Sequence, residues 1–317
     1  MSLKPLALDK LKTIPLAKRQ IEADGDDFGA PYQAGGNFSD FLCSLPGLGA
    51  AKGLITLRDA IVSAHRRGRS VVLGLGGHVI DSGLSPSLVR LLEQRVITGL
   101  CLTGAACLQD VEIALSGHTV RYTDKDLHEG HYGVTEETGR LINDAVTMGA
   151  IEGWGMGNAI GRKLIDSAPD HLDYSVLATA CRYGIPVTVH PAIGADAFNL
   201  HPASHGESLG ACGYTDFKLL AAILADASHG VIINVASSVL LPRLFLQAMD
   251  AARNLGKTIE GITSVVIDSS ASTSAIDDVV HRLSQPDGQG IYLPGPDEIL
   301  LPLVFAAVID TLGSEVE

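Results

Sequence analysis

The residues best suited to chemistry lie in the run GIPVTVHPAIGADAFNLHP, residues 184–202. The apolar stretch Ile185–Val189 leads directly into His190, and a lone carboxylate, Asp196, precedes a second His-Pro pair at His201. Strands of an open parallel sheet deliver ligand-binding groups just beyond their carboxyl ends. We therefore predict a site in which Asp196 or His201 orients a substrate or moves a proton.

The same histidines offer an alternative. Imidazole and carboxylate groups are ordinary ligands of Zn²⁺ and Fe²⁺, so His190, His201 and His205 form a second, metal-binding hypothesis. A metal-dependent hydrolase or lyase would rest on them. Pro202 lies inside the H-x-x-x-H spacing of His201 and His205, however, so the two do not share one face of a helix. The sequence favours hydrogen bonding or proton transfer over metal binding.

Two further apolar runs end in small and polar residues, within VVLGLGGHVIDSG (Val71–Gly83) and ITGLCLTGAACLQD (Ile97–Asp110). Each reads as a strand followed by a helix, whose first backbone N–H groups favour an anion. A tight turn or close helix–strand packing is the alternative for both. The run GWGMGNAIG (Gly153–Gly161) resembles a nucleotide-binding motif, but no strand precedes it, so we predict a loop connecting helices.

From Ile55 onward, short apolar runs alternate with longer helical patterns, which is typical of βα units and a parallel sheet. The predicted strands are Ser70–Leu75, Val96–Leu102, Ile185–Val189, Val231–Val235, Ser264–Ile267 and Gly290–Leu293. The predicted helices are Ile55–Arg66, Pro86–Gln94, Leu108–Ser116, Glu136–Thr147, Tyr174–Tyr183, Thr215–Ala225, Val239–Asn254, Ala275–Ser284 and Glu298–Leu312.

These elements predict a three-layer α/β fold, with a Rossmann-like parallel sheet and helices on both faces. Residues 1–50 are irregular in pattern and are expected to form an arm across a neighbouring subunit. Residues 51–317 are expected to form a single domain with a helical insertion near 117–160, where charged material contains no strand pattern.

Composition excludes several classes of protein. Hydrophobic residues make up 46% of the chain and charged residues 19%, as in a globular protein. A net charge of −13 argues against binding to nucleic acid or to an anionic membrane. No run approaches the roughly 18 apolar residues of a membrane span. The five cysteines contain no CxxC pair, so a reduced, cytoplasmic setting is the expectation.

The order of several segments carries a resemblance. GGHVIDSGLSPSLVRLLEQ, LTGAACLQDVEIAL, SVLATACRYGIPVTVHPAIGAD, VIINVASSVLLPRLFLQAM and VVIDSSAS follow one another between Ser70 and Ala307. In this order they resemble the deoxyhypusine synthase family, and most of all a bacterial branch of it. The resemblance implies a Rossmann-like sheet that binds NAD at a subunit interface, in a homotetramer built as a dimer of dimers. The NAD-contacting positions it implies are Gly77, His78, Val79, Ile80, Asp81, Thr103, Gly104, Asp196, Ser269 and Ser270.

The chain departs from that family where the chemistry is concerned. The family oxidises spermidine with NAD and holds the aminobutyl group as an imine on a lysine near the carboxyl terminus. Here no lysine follows Lys257, and Pro242 stands where the family has a histidine. We therefore expect an NAD-dependent enzyme, transferase-like or oxidoreductase-like, that acts on a small substrate without a lysine imine. An amine is one candidate substrate. The alternative is a non-catalytic protein that binds a dinucleotide or another metabolite.

Overall fold

A computed structural model describes residues 3–313, so residues 1, 2 and 314–317 of the expected arm and domain lie outside the described part. Within it, six parallel strands form one sheet in the order β3-β2-β1-β4-β5-β6. The strands are β1 Val71–Leu75, β2 Gly99–Thr103, β3 Val187–His190, β4 Val231–Val235, β5 Thr263–Ile267 and β6 Gln289–Leu293. All the predicted strands are confirmed, each with its ends within three residues, and so is the Rossmann-like α/β class.

Helices cover both faces of this sheet. They are α1 Phe38–Ser44, α2 Gly49–Arg66, α3 Gly77–Asp81, α4 Ser85–Glu93, α5 Gly104–Ser116, α6 Asp124–Glu129, α7 Glu136–Glu152, α8 Met156–Ser167, α9 Val176–Arg182, α10 Gly206–Ala225, α11 Leu240–Asn254, α12 Thr273–Ala275 and α13 Asp297–Gly313. A π-helical segment, Ile276–Leu283, continues α12. The predicted helices are present; α1, α3, α6 and α8 were not expected, because three are short and α8 begins in a glycine-rich run.

Side chains that alternate along each strand build two separate cores. In β1, Leu73 and Leu75 pack in one core with α2, α4, α5 and α13. Val72 faces the opposite way and packs with Phe245 of α11 and Leu220 of α10. Every residue of β1 is buried, as expected for a parallel strand covered by helices on both faces.

The glycine-rich run at 153–161 is not a loop throughout, which corrects the prediction. Gly153 ends α7 with a positive φ of 71°, and Gly155 precedes the first residue of α8. A Cβ at Gly157 would lie 2.5 Å from the Val187 carbonyl oxygen, and one at Gly161 would lie 2.3 Å from Cys181 Sγ. The glycines therefore let α8 pack directly on β3 and α9.

The amino-terminal stretch before α1 lies largely exposed, with two short 3₁₀ turns, Leu16–Lys18 and Gly25–Asp27. Its apolar side chains are exposed as well: Leu3, Leu6, Leu8, Leu11, Ile14, Leu16, Ile21 and Phe28. Across residues 3–313, none of the helices combines the length and the apolar character that crossing a membrane demands.

Buried carboxylates join the helices between β2 and β3 to the sheet. Asp216 of α10 is fully buried, and its Oδ2 accepts hydrogen bonds from the backbone N–H groups of Val189 (2.8 Å) and Gly157 (2.9 Å). Asp110 of α5 accepts from the Val176 N–H (2.7 Å) at the start of α9. Burial raises the pKa of Asp216 to about 7 and that of Asp110 to about 6, although the hydrogen bonds oppose this.

The first prediction concerns the pH dependence of stability. Unfolded Asp216 loses its proton near its ordinary pKa of 3.8, whereas the folded protein keeps that proton up to about pH 7. Between these values the folded state binds more protons, so the free energy of unfolding falls as pH rises, by up to about 1.4 kcal/mol per pH unit. Asp216→Asn should flatten this slope in denaturant unfolding across that range. Asp250→Asn, an equal charge change at an exposed position of α11, should leave it intact; equal slopes for the two variants would contradict the assignment.

Candidate functional site

The direction of the strand order reverses between β1 and β4, and the loops that follow these strands meet at the carboxyl edge of the sheet. The Gly76 N–H donates to the Val235 carbonyl oxygen at 2.9 Å. A Cβ at Gly76 would lie 1.9 Å from the Ala236 carbonyl oxygen, so only glycine allows this approach. A reversal of this kind is where open α/β sheets bind ligands.

Asp196 lies directly on the first residue of α5. A Cβ at Gly104 would be 1.9 Å from Asp196 Oδ2, so the absence of a side chain at Gly104 makes room for the carboxylate. The Ala192 N–H donates to the same oxygen at 2.6 Å. Burial raises the pKa of Asp196, and the bond from Ala192 partly offsets this. Thr103 is occupied with capping α5, because its Oγ1 accepts from the Ala106 N–H at 3.2 Å.

A second carboxylate, that of Asp81 in α3, contacts the side of α5. Gln109 of α5 donates from Nε2 to Asp81 Oδ2 at 2.5 Å, and a Cβ at Gly77 would lie 3.0 Å from Gln109 Oε1. Partial burial raises the pKa of Asp81, whereas His78 and Gln109 lower it. The predicted residues Gly77, Asp81 and Gly104 therefore flank one helix start. Gln109 was missed, because nothing in the sequence marks an isolated glutamine five residues into a helix as a partner of Asp81.

Glu112, one turn further along α5, was also missed. It is 3% exposed, and Tyr122 donates from its hydroxyl to Glu112 Oε1 at 3.1 Å. Burial raises the pKa of Glu112 to about 7, and the charge of Asp81 adds to the effect. Two acidic residues, Asp110 and Glu112, within a largely apolar helix were the available signal.

Two of the expected cofactor-contacting residues point elsewhere. Val79 and Ile80 are fully buried in the larger hydrophobic core. Their side chains anchor α3, so only their backbone could contact a ligand.

After β5, the polar side chain that accepts hydrogen bonds is that of Asp268, whereas the predicted residues were Ser269 and Ser270. Ser269 and Ser270 are exposed, and the Ser270 N–H donates to Asp268 Oδ1 at 2.8 Å. Asp268 is 9% exposed and also accepts from Ser238 Oγ at 3.1 Å. β5 lies four strand spacings from β3, about 19 Å, so these serines are remote from Asp196. An acidic residue directly after an apolar strand was the signal for Asp268.

The three histidines of the metal hypothesis do not gather. Among the described residues they form no cluster with metal-binding spacing. His190 is buried, and its Nε2 lies 3.1 Å from Thr188 Oγ1. Burial lowers the pKa of His190 to about 4, so the ring is neutral at pH 7. It lines an apolar cleft of about 280 Å³ between α10 and α11. His205 is exposed and precedes the first residue of α10.

His201 fastens the loop that carries Asp196. The ring is 4% exposed, and its Nε2 lies 3.2 Å from Glu136 Oε2, as donor to the carboxylate. Its Nδ1 accepts from the Ala203 N–H at 3.1 Å, and the ring packs on Gly139 of α7. Both ring nitrogens therefore have partners within the protein, and the proton-transfer role of His201 stays a prediction.

No protein-family model and no curated protein sequence matches the chain. Solved structures do. AgrE, in a ternary complex with ornithine and NAD⁺, is 17% identical with a TM-score of 0.55, covering 86% of this chain and 35% of AgrE. A putative deoxyhypusine synthase from Entamoeba histolytica is 13% identical with a TM-score of 0.53, covering 89% of this chain and 96% of that one. The fold is deoxyhypusine synthase-like.

The other comparisons agree with this fold. A conserved putative LOR/SDH protein from Methanococcus maripaludis S2 is 14% identical with a TM-score of 0.51, covering 89% of this chain and 73% of that one. The chain spans about a third of the length of AgrE, so it matches one part of that larger protein. The deoxyhypusine synthase-like fold implied by the ordered segments is thus confirmed, at identities that speak for the fold alone.

The second prediction separates a structural from a chemical role for His201. His201→Leu should lower the free energy of unfolding by about 1–3 kcal/mol, because it removes a buried ring and leaves the Ala203 N–H without its acceptor. The exposed His205→Leu should change it by less than about 0.5 kcal/mol. Denaturant unfolding measures both. Unaltered stability in His201→Leu would favour the chemical role.

Proposed function

We propose that this protein is an NAD-dependent enzyme that oxidises a small substrate, an amine being the favoured class, without forming an imine on a lysine. The observation that supports it most is the contact between the Asp196 carboxylate and Gly104 at the carboxyl edge of a sheet ordered β3-β2-β1-β4-β5-β6. This is the strand order and the edge at which Rossmann-like proteins bind dinucleotides.

The residues at this edge fit such a cofactor. Gly77 and Gly104 have no side chains, so a ligand can approach the backbone. Asp196 Oδ1 has no hydrogen-bond partner among residues 3–313, so it is available to a substrate bound beside the cofactor. The Ser238–Asp268 pair offers further polar groups about two strand spacings from β1, within the span of an extended dinucleotide.

Bound NAD would supply the acceptor for a hydride from the substrate. The chain would supply the base. The substrate loses two electrons and one hydrogen as that hydride, and its second hydrogen leaves as a proton to Asp196 Oδ1. Burial raises the pKa of Asp196, which makes its carboxylate a better proton acceptor than an exposed one. The proton then passes to water.

The sequence after β4 separates this reaction from that of the family it resembles. No lysine follows Lys257, so none is available from β5, β6 or α13 to trap a product as an imine. Pro242 is buried in the first turn of α11, at the position of the family histidine. We therefore expect a free oxidised product. The same absences favour a second candidate, a protein that binds the dinucleotide without turning it over.

We also propose self-association through the amino-terminal stretch. Exposed apolar residues are costly in water, and this stretch carries several of them, Leu3, Leu6 and Leu11 among them. Burial against a second copy would remove that cost. Light scattering on the purified chain should give a mass of at least twice the 33.1 kDa monomer; a monomer at micromolar concentration would contradict the assembly.

The third prediction tests the cofactor. NAD at about a hundred times its dissociation constant should stabilise the native protein by about 2.7 kcal/mol, seen as a rise in the unfolding temperature. Gly104→Ala should abolish the shift, because its Cβ would push the Asp196 loop away from α5 and fill the space through which the cofactor approaches the backbone. Gly210→Ala is the matched control: it lies exposed in α10, and its Cβ would meet nothing within 4 Å. The absence of any shift in the natural protein would overturn the proposal.

The fourth prediction tests catalysis. Asp196→Asn should keep the NAD-dependent shift and lower turnover about a hundredfold or more, because the amide cannot accept the proton. Turnover is followed by the absorbance of reduced NAD over a panel of amines that includes spermidine and ornithine. Stabilisation by NAD without turnover of any amine in the natural protein would favour the non-catalytic binder.

A further inference from the structure

Three side chains with metal-binding atoms meet at a different point on the carboxyl edge. His78 comes from α3, directly after β1, whereas Asp297 and Glu298 open α13, directly after β6. One ligand atom of each lies within 4.8 Å of the others. We propose that His78, Asp297 and Glu298 bind a divalent transition-metal ion, with Zn²⁺ as the best match. The site stands independently of the proposed NAD chemistry.

Asp297 is the residue that needs explaining. It is 4% exposed, and its Oδ2 has no hydrogen-bond partner among the described residues. A buried anionic oxygen without a partner is costly. Glu298 and Asp268 add negative charge nearby. A bound cation would remove both costs.

The distance to His78 suits a metal better than a direct ion pair. His78 Nε2 lies 3.5 Å from Asp297 Oδ1, at the outer limit of a hydrogen bond. Two ligands held at about 2.0–2.1 Å from a tetrahedral Zn²⁺ lie about 3.4 Å apart. The His78 side chain is 65% exposed, so its ring can reorient to complete the coordination at little cost.

The start of α13 explains only part of the cluster. Acidic residues are common in the first turn of a helix, where they interact with its positive end. That accounts for the positions of Asp297 and Glu298 in the sequence. It does not account for an imidazole that comes from α3, more than two hundred residues earlier in the chain, nor for the unpartnered oxygen.

The donor set also indicates the class of metal. One imidazole nitrogen and two carboxylate oxygens suit Zn²⁺, Mn²⁺ or Fe²⁺, whereas Ca²⁺ and Mg²⁺ prefer oxygen ligands alone. Glu298 and His78 are exposed, which leaves room for water or a substrate group at a remaining coordination position. Three protein ligands with an open position are the pattern of catalytic rather than structural zinc.

The test measures binding directly. Protein freed of metal with a chelator is titrated with Zn²⁺, Mn²⁺ and Mg²⁺ by calorimetry, and separately with spermidine, because an organic cation could occupy the same acidic cluster. We expect one equivalent of Zn²⁺ to bind, Mg²⁺ to bind at least tenfold more weakly, and His78→Ala and Glu298→Gln each to weaken Zn²⁺ binding at least tenfold. Both substitutions are at exposed positions, so the fold should survive.

His281→Ala is the matched control, since His281 is exposed and lies outside the cluster. Equal loss of Zn²⁺ binding in His78→Ala and His281→Ala would show adventitious binding and overturn the proposal. Binding of spermidine without Zn²⁺ would overturn it as well. The NAD-induced shift in unfolding temperature is measured on the natural protein and on Glu298→Gln, because Glu298 is not among the expected NAD-contacting residues. Failure of the shift in the natural protein concerns the proposed function, whereas loss of Zn²⁺ binding in Glu298→Gln with an unchanged NAD shift supports a separate metal site.

Discussion

The carboxyl edge of this sheet depends on two places where a side chain would not fit. At Gly76, the chain leaving β1 lies against the carbonyl of Ala236, which follows β4. At Gly104, the carboxylate of Asp196 occupies the space in which a Cβ would stand. The first contact joins the chain after β1 to the chain after β4, and the second joins the chain after β2 to the chain after β3, so each brings together segments that are far apart in the sequence. The polar groups of the candidate site are positioned by them.

Further from the edge, buried carboxylates hold distant segments together through hydrogen bonds. Asp216 joins α10 to the backbone of β3 and to the start of α8, and Asp110 joins α5 to the start of α9. Each accepts N–H groups that a helix or strand end would leave without partners. The N–H groups favour the ionised carboxylates, but burial raises the pKa of both groups by more, so their net contribution to stability is lower at neutral pH than at acidic pH.

The carboxyl edge of the sheet has two polar regions, which suit different kinds of ligand. Around α5, Asp196 and the Asp81–Gln109 pair offer acceptors beside small residues, which suits the hydroxyl groups of a nucleotide. Between β1 and β6, Asp297, Glu298 and Asp268 concentrate negative charge next to one imidazole, which suits a cation. A cofactor and a cationic ligand could therefore occupy neighbouring positions on this edge.

The sequence alone determined the strands, most helices and the fold class, because buried parallel strands are apolar runs and their helices have a distinct period. It also placed Gly77 and Gly104 between a strand and a helix, because small residues follow the apolar runs of β1 and β2 there. It did not determine which side chains meet. That Val79 faces the core, that His201 has both nitrogens occupied, and that His78 lies beside Asp297 depend on contacts across the sheet. The local sequence pattern shows which positions of a strand or helix are buried, because burial repeats with the period of that element. Contacts between side chains from distant segments form only when those segments pack against one another.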